Sequence, residues 1–326
     1  MENPPPTQRT LALARPVGHT HQHSHDHAEV QKLSAALLSI LINVVLISVE
    51  GAIAFFTGSL AVLADAGHSF FDLAASISAF WGVRMAGQPP DRTHPYGHDK
   101  FENLSSLFQV LMIMLIALFI VGQVTFNLVR GYSLSVSTTA IGILAATVFV
   151  DFAAARYIGS VAATHHSYAL EADAFHFTTD LWTKLAALGG LIGVRLGAQW
   201  VDPTAALFVA GIMVYTASRL GIRSARVLLD GSPRGRTERR IRAILQEEAG
   251  AQGFHSLRMR QSGKWIFLDV AVHMPAETIL ATAHSFGHRV GKRLCDEIEE
   301  VRDAVVHIEP GDHPDGHPCD HYQERL

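Results

Sequence analysis

Cysteine is nearly absent: Cys295 and Cys319 are the only two in 326 residues, too few for a disulfide framework. Both fall in a segment expected to face the reducing cytoplasm, where thiols persist. Charge is also scarce, at 17% Asp, Glu, Lys and Arg, and the formal net charge of −4 leaves no strongly basic face, so no nucleic-acid partner is expected. The first 32 residues lack the apolar core of a signal peptide, which leaves the first membrane helix as the expected targeting signal. No HExxH or comparable zinc-hydrolase motif occurs.

What the chain has is hydrophobicity, at 48% of residues, and 19 histidines. The mean hydropathy of +0.20 is modest for a membrane protein, so a polar part must dilute an apolar one. Uncharged stretches dominate up to about Ile222, and Lys, Arg and Glu crowd the region after it. A helix needs about 20 apolar residues to cross a bilayer core of about 30 Å. Six segments meet or approach this: 33–56, 59–86, 104–129, 136–162, 169–196 and 203–222. The third is the clearest, since Leu104 to Val129 carries no charge. Glu50, Asp65, Asp72, Asp173, Asp180 and Lys184 compromise the first, second and fifth, and must turn toward protein or water. Arg84, Arg92 and Lys100 flank the second connection, and Arg219, Arg223, Arg226, Arg234, Arg236, Arg239 and Arg240 lie at and beyond the sixth segment. The opposite connections hold only Arg130 and Arg195, so both termini are expected in the cytoplasm of a multi-pass plasma (inner) membrane protein.

The most informative feature is an internal echo. Ala64-Asp65-Ala66-Gly67-His68-Ser69-Phe70-Phe71-Asp72-Leu73 returns as Ala172-Asp173-Ala174-Phe175-His176-Phe177-Thr178-Thr179-Asp180-Leu181, with six of ten positions identical. On a helix, each Asp-x-x-His-x-x-x-Asp set stacks along one face, with the histidine and second aspartate one turn apart. Two such faces in contact would offer two imidazoles and two carboxylates, a set suited to tetrahedral Zn²⁺. The bland alternative is a set of structural polar contacts between helices. Duplication favours the ion site, because intramembrane ionisable groups mark ion pathways. Asp65 and Asp173, one turn earlier, could orient the imidazoles or line the access route. Lys184 reads equally as an ordinary helix-end charge or a functional partner.

From about Leu33 to Pro310 the chain resembles the cation diffusion facilitator family, whose members pair such motifs on the second and fifth of six transmembrane helices. The resemblance implies a homodimeric metal/proton antiporter, and the His-x-x-x-Asp form on both helices resembles the zinc-preferring branch. Cd²⁺, Co²⁺ and Ni²⁺ remain open as cargo, because ligand type does not separate them. The Asp91-to-Lys100 connection resembles the family's loop metal site, with Asp91, His94 and His98 as ligands. Spacing alone leaves a solvated turn punctuated by Pro95 and Gly97 equally open. Lys100 and Asp230 match family positions that form an ion pair between the membrane body and the soluble domain.

The soluble region reads as helix 237–249, strand 255–261, strand 265–273, helix 279–300 and strand 304–309, with Ser262-Gly263 as a hairpin turn. This αββαβ order resembles the family's metallochaperone-like (ferredoxin-like) α+β domain, which implies dimerisation and metal binding near His255, His284, His307 and Glu309. Where a histidine is usual on the second strand stands Ala271, and His273 follows two residues later on the same face. The expected organisation is thus a disordered arm (1–32) with alternating histidines from His19 to His27, a membrane domain (33–222), a cytoplasmic domain (223–310) and a tail (311–326) with His313, His317, Cys319 and His321. Two other functions carry the same ligands: an intramembrane zinc enzyme, which the missing water position and base argue against, and a non-transporting metal sensor.

Overall fold

The computed structural model of the chain describes residues 19–57, 60–130, 138–195, 198, 200–233, 235–250 and 253–311. The side chains of Asp65 and His68, those of the histidines from His19 to His27, and the tail from residue 312 lie outside the described residues. Six long helices come first: α1 (His19–Thr57), α2 (Leu60–Ala86), α3 (Lys100–Arg130), α4 (Thr138–His165), α5 (Tyr168–Arg195) and α6 (Val201–Leu228). The small domain follows as α7 (Arg236–Ala249), β1 (Phe254–Ser262), β2 (Trp265–Met274), α8 (Leu280–Glu297) and β3 (Val301–Pro310), in the expected αββαβ order.

Several helices outrun their apolar segments. Helix α1 begins at His19, inside the arm expected to be disordered. No proline or glycine interrupts the chain between Gly18 and Gly51, so nothing in the polar stretch breaks the helix. Helix α3 starts at Lys100 and α6 runs to Leu228, because hydropathy marks bilayer thickness and backbone hydrogen bonding continues beyond it. Four helices are long and apolar enough to cross a membrane among the described residues: Ala28–Val49, Lys100–Phe126, Ala145–His165 and Pro203–Leu228. Helices α2 and α5, which carry the repeated motif, are not among them.

Packing places these two helices within the bundle. Helix α5 contacts all five other helices of the bundle, and so sits at its centre. Around it the usual distribution of polarity is inverted. Ser39, Asn43, Ser76, Asp72, Gln109 and His176 are buried, whereas Leu118, Phe119, Phe149, Phe152 and Phe208 face outward. An apolar exterior around a polar interior is what a bilayer demands, since lipid offers hydrogen-bonding groups no partner.

The soluble core is built by period. Ile241, Ile244, Leu245 and Ala249 fall on one face of α7, Val290 and Leu294 on one face of α8, and Ile266, Leu268, Val270 and Val272 alternate on β2. The sheet order is β1-β2-β3, with β1 antiparallel and β3 parallel to β2. The hairpin turn occurs where expected, with Gly263 at φ 57°. A side chain there would also collide, since a Cβ would sit 2.8 Å from that of Asp99. This turn therefore meets the α2–α3 connection closely. Around it, Arg302 Nη1 reaches Asp99 Oδ2 at 3.3 Å and the Arg260 guanidinium lies 4.0 Å from the Tyr96 ring centroid. Lys100 Nζ donates to Asp230 Oδ1 at 2.6 Å, joining the two domains by the pair anticipated from the sequence.

Candidate metal centre

Contact between α2 and α5 brings Asp72, His176 and Asp180 together, with one ligand atom from each within 4.8 Å of the others. All three are buried, and His176 is completely so. His176 Nε2 lies 2.9 Å from Asp72 Oδ1 and 3.7 Å from Asp180 Oδ2, so one imidazole faces carboxylates from both helices. His176 and Asp180 share the α5 face because they are four residues apart. The fourth expected ligand, His68, precedes Asp72 by one turn of α2, and its side chain lies outside the described residues. An imidazole and two carboxylates in a buried setting form a donor set for a divalent cation, which supplies the charge that desolvated carboxylates otherwise lack.

Asp173 makes its hydrogen bond to a neighbouring helix. Its Oδ1 accepts from Ser76 Oγ at 3.0 Å, and Ser76 Oγ in turn accepts from Ser39 Oγ at 2.7 Å and Asn43 Nδ2 at 2.8 Å. His176 Nδ1 is buried without a hydrogen-bond partner among the described residues, so Asp173 does not orient the imidazole. Three residues back on α5, its carboxylate turns instead to α1 and α2, tying three helices together. Asp65 lies outside the described side chains.

Asp151 escaped the sequence reading. It lies on α4, 1% exposed, and its Oδ2 accepts from Lys184 Nζ of α5 at 2.6 Å. The signal was available: Asp151 is a single acidic residue in an otherwise uncharged apolar stretch from Thr138 to Ala155.

The α2–α3 connection builds a second cluster. Asp91 Oδ1 accepts from Thr93 N and Thr93 Oγ1, both at 2.7 Å, and from His94 N at 2.6 Å, a turn in which the side chain caps its own backbone. The hydroxyl of Thr93, followed by the backbone N–H of His94, holds the Asp91 carboxyl down to about 2. Asp91 Oδ2 lies 3.5 Å from His98 Nε2, and the His94 and His98 rings are 4.5 Å apart. The three residues gather as a potential ligand set, and buried His98 Nδ1 has no hydrogen-bond partner among the described residues.

In the small domain the cluster is His255, His273 and Glu309. His273 pairs with Glu309 across β2 and β3, and Ala271 occupies the rung between His255 and His307. A bulge after His255, with Ser256 at φ 52°, redirects the strand, and His255 Nε2 lies 3.1 Å from Glu309 Oε2. The His255 and His273 rings are 4.8 Å apart, so the later histidine brings a second imidazole to the cluster. His307 Nε2 approaches the other Glu309 oxygen at 3.2 Å but is 69% exposed and outside the triad. His284 is not brought to the triad; it stacks on His288, one turn along α8, at 6.4 Å.

These features define a helical membrane protein with clustered cation ligands and a small cytoplasmic α+β domain. The sequence pattern described as "Cation efflux transmembrane domain" matches residues 36–229, and that of "Cation efflux protein, cytoplasmic domain" matches residues 233–311. The cation-efflux pump FieF of Shewanella oneidensis is 31% identical over 282 residues, covering 85% of this chain and 93% of that one. Metal tolerance protein C1 of Arabidopsis thaliana is 28% identical, covering 78% of this chain and 58% of its own length. The metal-bound C-terminal domain of the CzcD transporter from Thermotoga maritima aligns with 24% of this chain and 98% of its own, at 21% identity and a TM-score of 0.23. The chain belongs to the cation diffusion facilitator family, and it is a divalent-cation efflux transporter, not an enzyme.

Proposed function

We propose that the protein exports Zn²⁺ from the cytoplasm in exchange for protons, by alternating access, through a site formed by His68, Asp72, His176 and Asp180. The observation that carries this is the approach of His176 Nε2 to Asp72 across the α2–α5 contact, which joins the two halves of the sequence echo. Zinc is favoured over harder cations because half of the four donors are imidazole nitrogens. Proton coupling follows from ligand chemistry: an imidazole ligates only when neutral, so protons arriving from an acidic exterior compete with the metal. The working unit is a homodimer, as the matched cytoplasmic domain suggests, in the plasma (inner) membrane with six spans and both termini cytoplasmic. Asp91, His94 and His98, together with His255, His273 and Glu309, serve as accessory sites that do not lie on the transport path.

The test is Zn²⁺ flux into proteoliposomes under an imposed pH gradient, comparing the parent with His176→Ala and Asp72→Ala. Near-complete loss of flux in both variants, with folding retained, is expected. Transport persisting in either removes that residue from the site, and flux indifferent to the pH gradient removes the proton exchange.

A further inference from the structure

The ligand stripe of α5 continues past the ion site. Lys184 follows Asp180 by one turn and His176 by two, so all three project along one face. Helix α4 packs against α5 and brings Asp151 to that stripe, where Lys184 Nζ holds Asp151 Oδ2 at 2.6 Å. The pair is unevenly shielded: the Asp151 side chain is 1% exposed and that of Lys184 20%. Asp151 Oδ1 is buried with no hydrogen-bond partner among the described residues, so half of this carboxylate lacks a donor. Lys184 stands one turn beyond Asp180 on α5, so the pair lies next to the ion site along the helix.

A buried carboxylate needs a positive partner, and two are at hand: the Lys184 ammonium and a divalent cation beside Asp180. Nitrogen-rich sites suit Zn²⁺, whereas each added carboxylate moves a site toward Mn²⁺ and other oxygen-preferring ions. Accepting that Asp72, His176 and Asp180 hold the transported ion, we infer that Lys184 is a specificity-determining residue. By keeping Asp151 in an ion pair it withholds a third carboxylate from the ion and tilts transport toward nitrogen-binding cations over oxygen-preferring ones. Lys184 need not touch the metal to do this.

The test measures Mn²⁺ and Zn²⁺ flux in proteoliposomes for the parent, Lys184→Met, Lys184→Arg and the double variant Lys184→Met/Asp151→Asn, with His176→Ala as the site control. Lys184→Met releases Asp151 and is expected to raise the Mn²⁺:Zn²⁺ flux ratio about tenfold. Arginine keeps the cation, so Lys184→Arg holds the parental ratio. The double variant removes the released carboxylate and returns the ratio to within about twofold of the parent, because no buried charge is left unpaired. An unchanged ratio in Lys184→Met overturns the inference, as does a shifted ratio in the double variant. Where Lys184→Met does not fold, Lys184→Gln releases the same carboxylate and carries the same expectation, an unchanged ratio again overturning the inference. Zinc flux surviving in His176→Ala would instead overturn the ion site itself, so the two failures are separable.

Discussion

Asp180→Asn separates an ion site from a structural polar contact, because the two assign opposite consequences to it. Asp72, His176 and Asp180 offer ligand atoms within 4.8 Å of one another. At that separation two carboxylate charges repel by about 3 kcal/mol at an effective dielectric of about 20. His176 Nε2 lies 3.7 Å from Asp180 Oδ2, beyond hydrogen-bonding distance, and its attraction when charged is about 4 kcal/mol on the same scale. The two terms oppose each other, so together they contribute only about 1 kcal/mol to the stability of the metal-free protein. With the metal bound, the variant lacks one of its ligating charges, and a broken buried charge contact costs about 3–5 kcal/mol. That corresponds to a fall in affinity of about two to three and a half orders of magnitude. Thermal melting of detergent-solubilised protein with and without Zn²⁺ reads both quantities, since a ligand that binds only the folded state raises Tm with its concentration. The expected outcome is a Tm near the parental value without zinc and a smaller zinc-dependent rise, the remainder coming from the loop and small-domain clusters. A variant that melts far below the parent without metal yet keeps the full parental zinc-dependent rise would refute the reasoning.

Three further outcomes follow from the cytoplasmic side. The Lys100–Asp230 pair is partly exposed, at 35% and 53%, so a double-mutant cycle of Lys100→Ala and Asp230→Ala on unfolding free energy should give a coupling below about 1 kcal/mol; a coupling of twice that or more would make the pair a true stabiliser of the domain interface. Asp91 is held at about 2, so its contribution to the turn is complete above the ordinary carboxylate value of about 3.9 and is lost only as pH falls toward 2. An NMR titration of the Asp91 carboxyl should therefore give a midpoint near about 2, and a midpoint near about 4 would contradict this. In the small domain, His273→Ala should weaken metal binding by at least about tenfold while His284→Ala leaves it unchanged, as measured by calorimetric titration with Zn²⁺; equal losses would place His284 in the site after all.

The local regularities could be read directly from the chain. Helical periodicity links residues four apart, so His176 and Asp180 had to share a face wherever α5 lay. The alternation of apolar residues on β2 and the hairpin turn at Gly263 are likewise properties of short stretches. Apolar length located the long helices but not their ends, which run on to His19 and Leu228 because hydrogen bonding along a helix needs no lipid.

What the sequence could not decide was which faces meet. Asp173 reads as a partner for the imidazole one turn away or as part of the access route, and interhelical packing sets its carboxylate against Ser76. His284 reads as a ligand, yet its place on α8 leaves it stacked on His288. Ala271 reads as a missing ligand, and only the bulge after His255 and the pairing of β2 with β3 bring His273 beside His255 and Glu309. Asp151 acquires meaning solely from α4 lying along α5. Spacing within one element is set by backbone geometry over a few residues. Contact between elements depends on how all the side chains of the bundle pack together, and only the tertiary structure decided it.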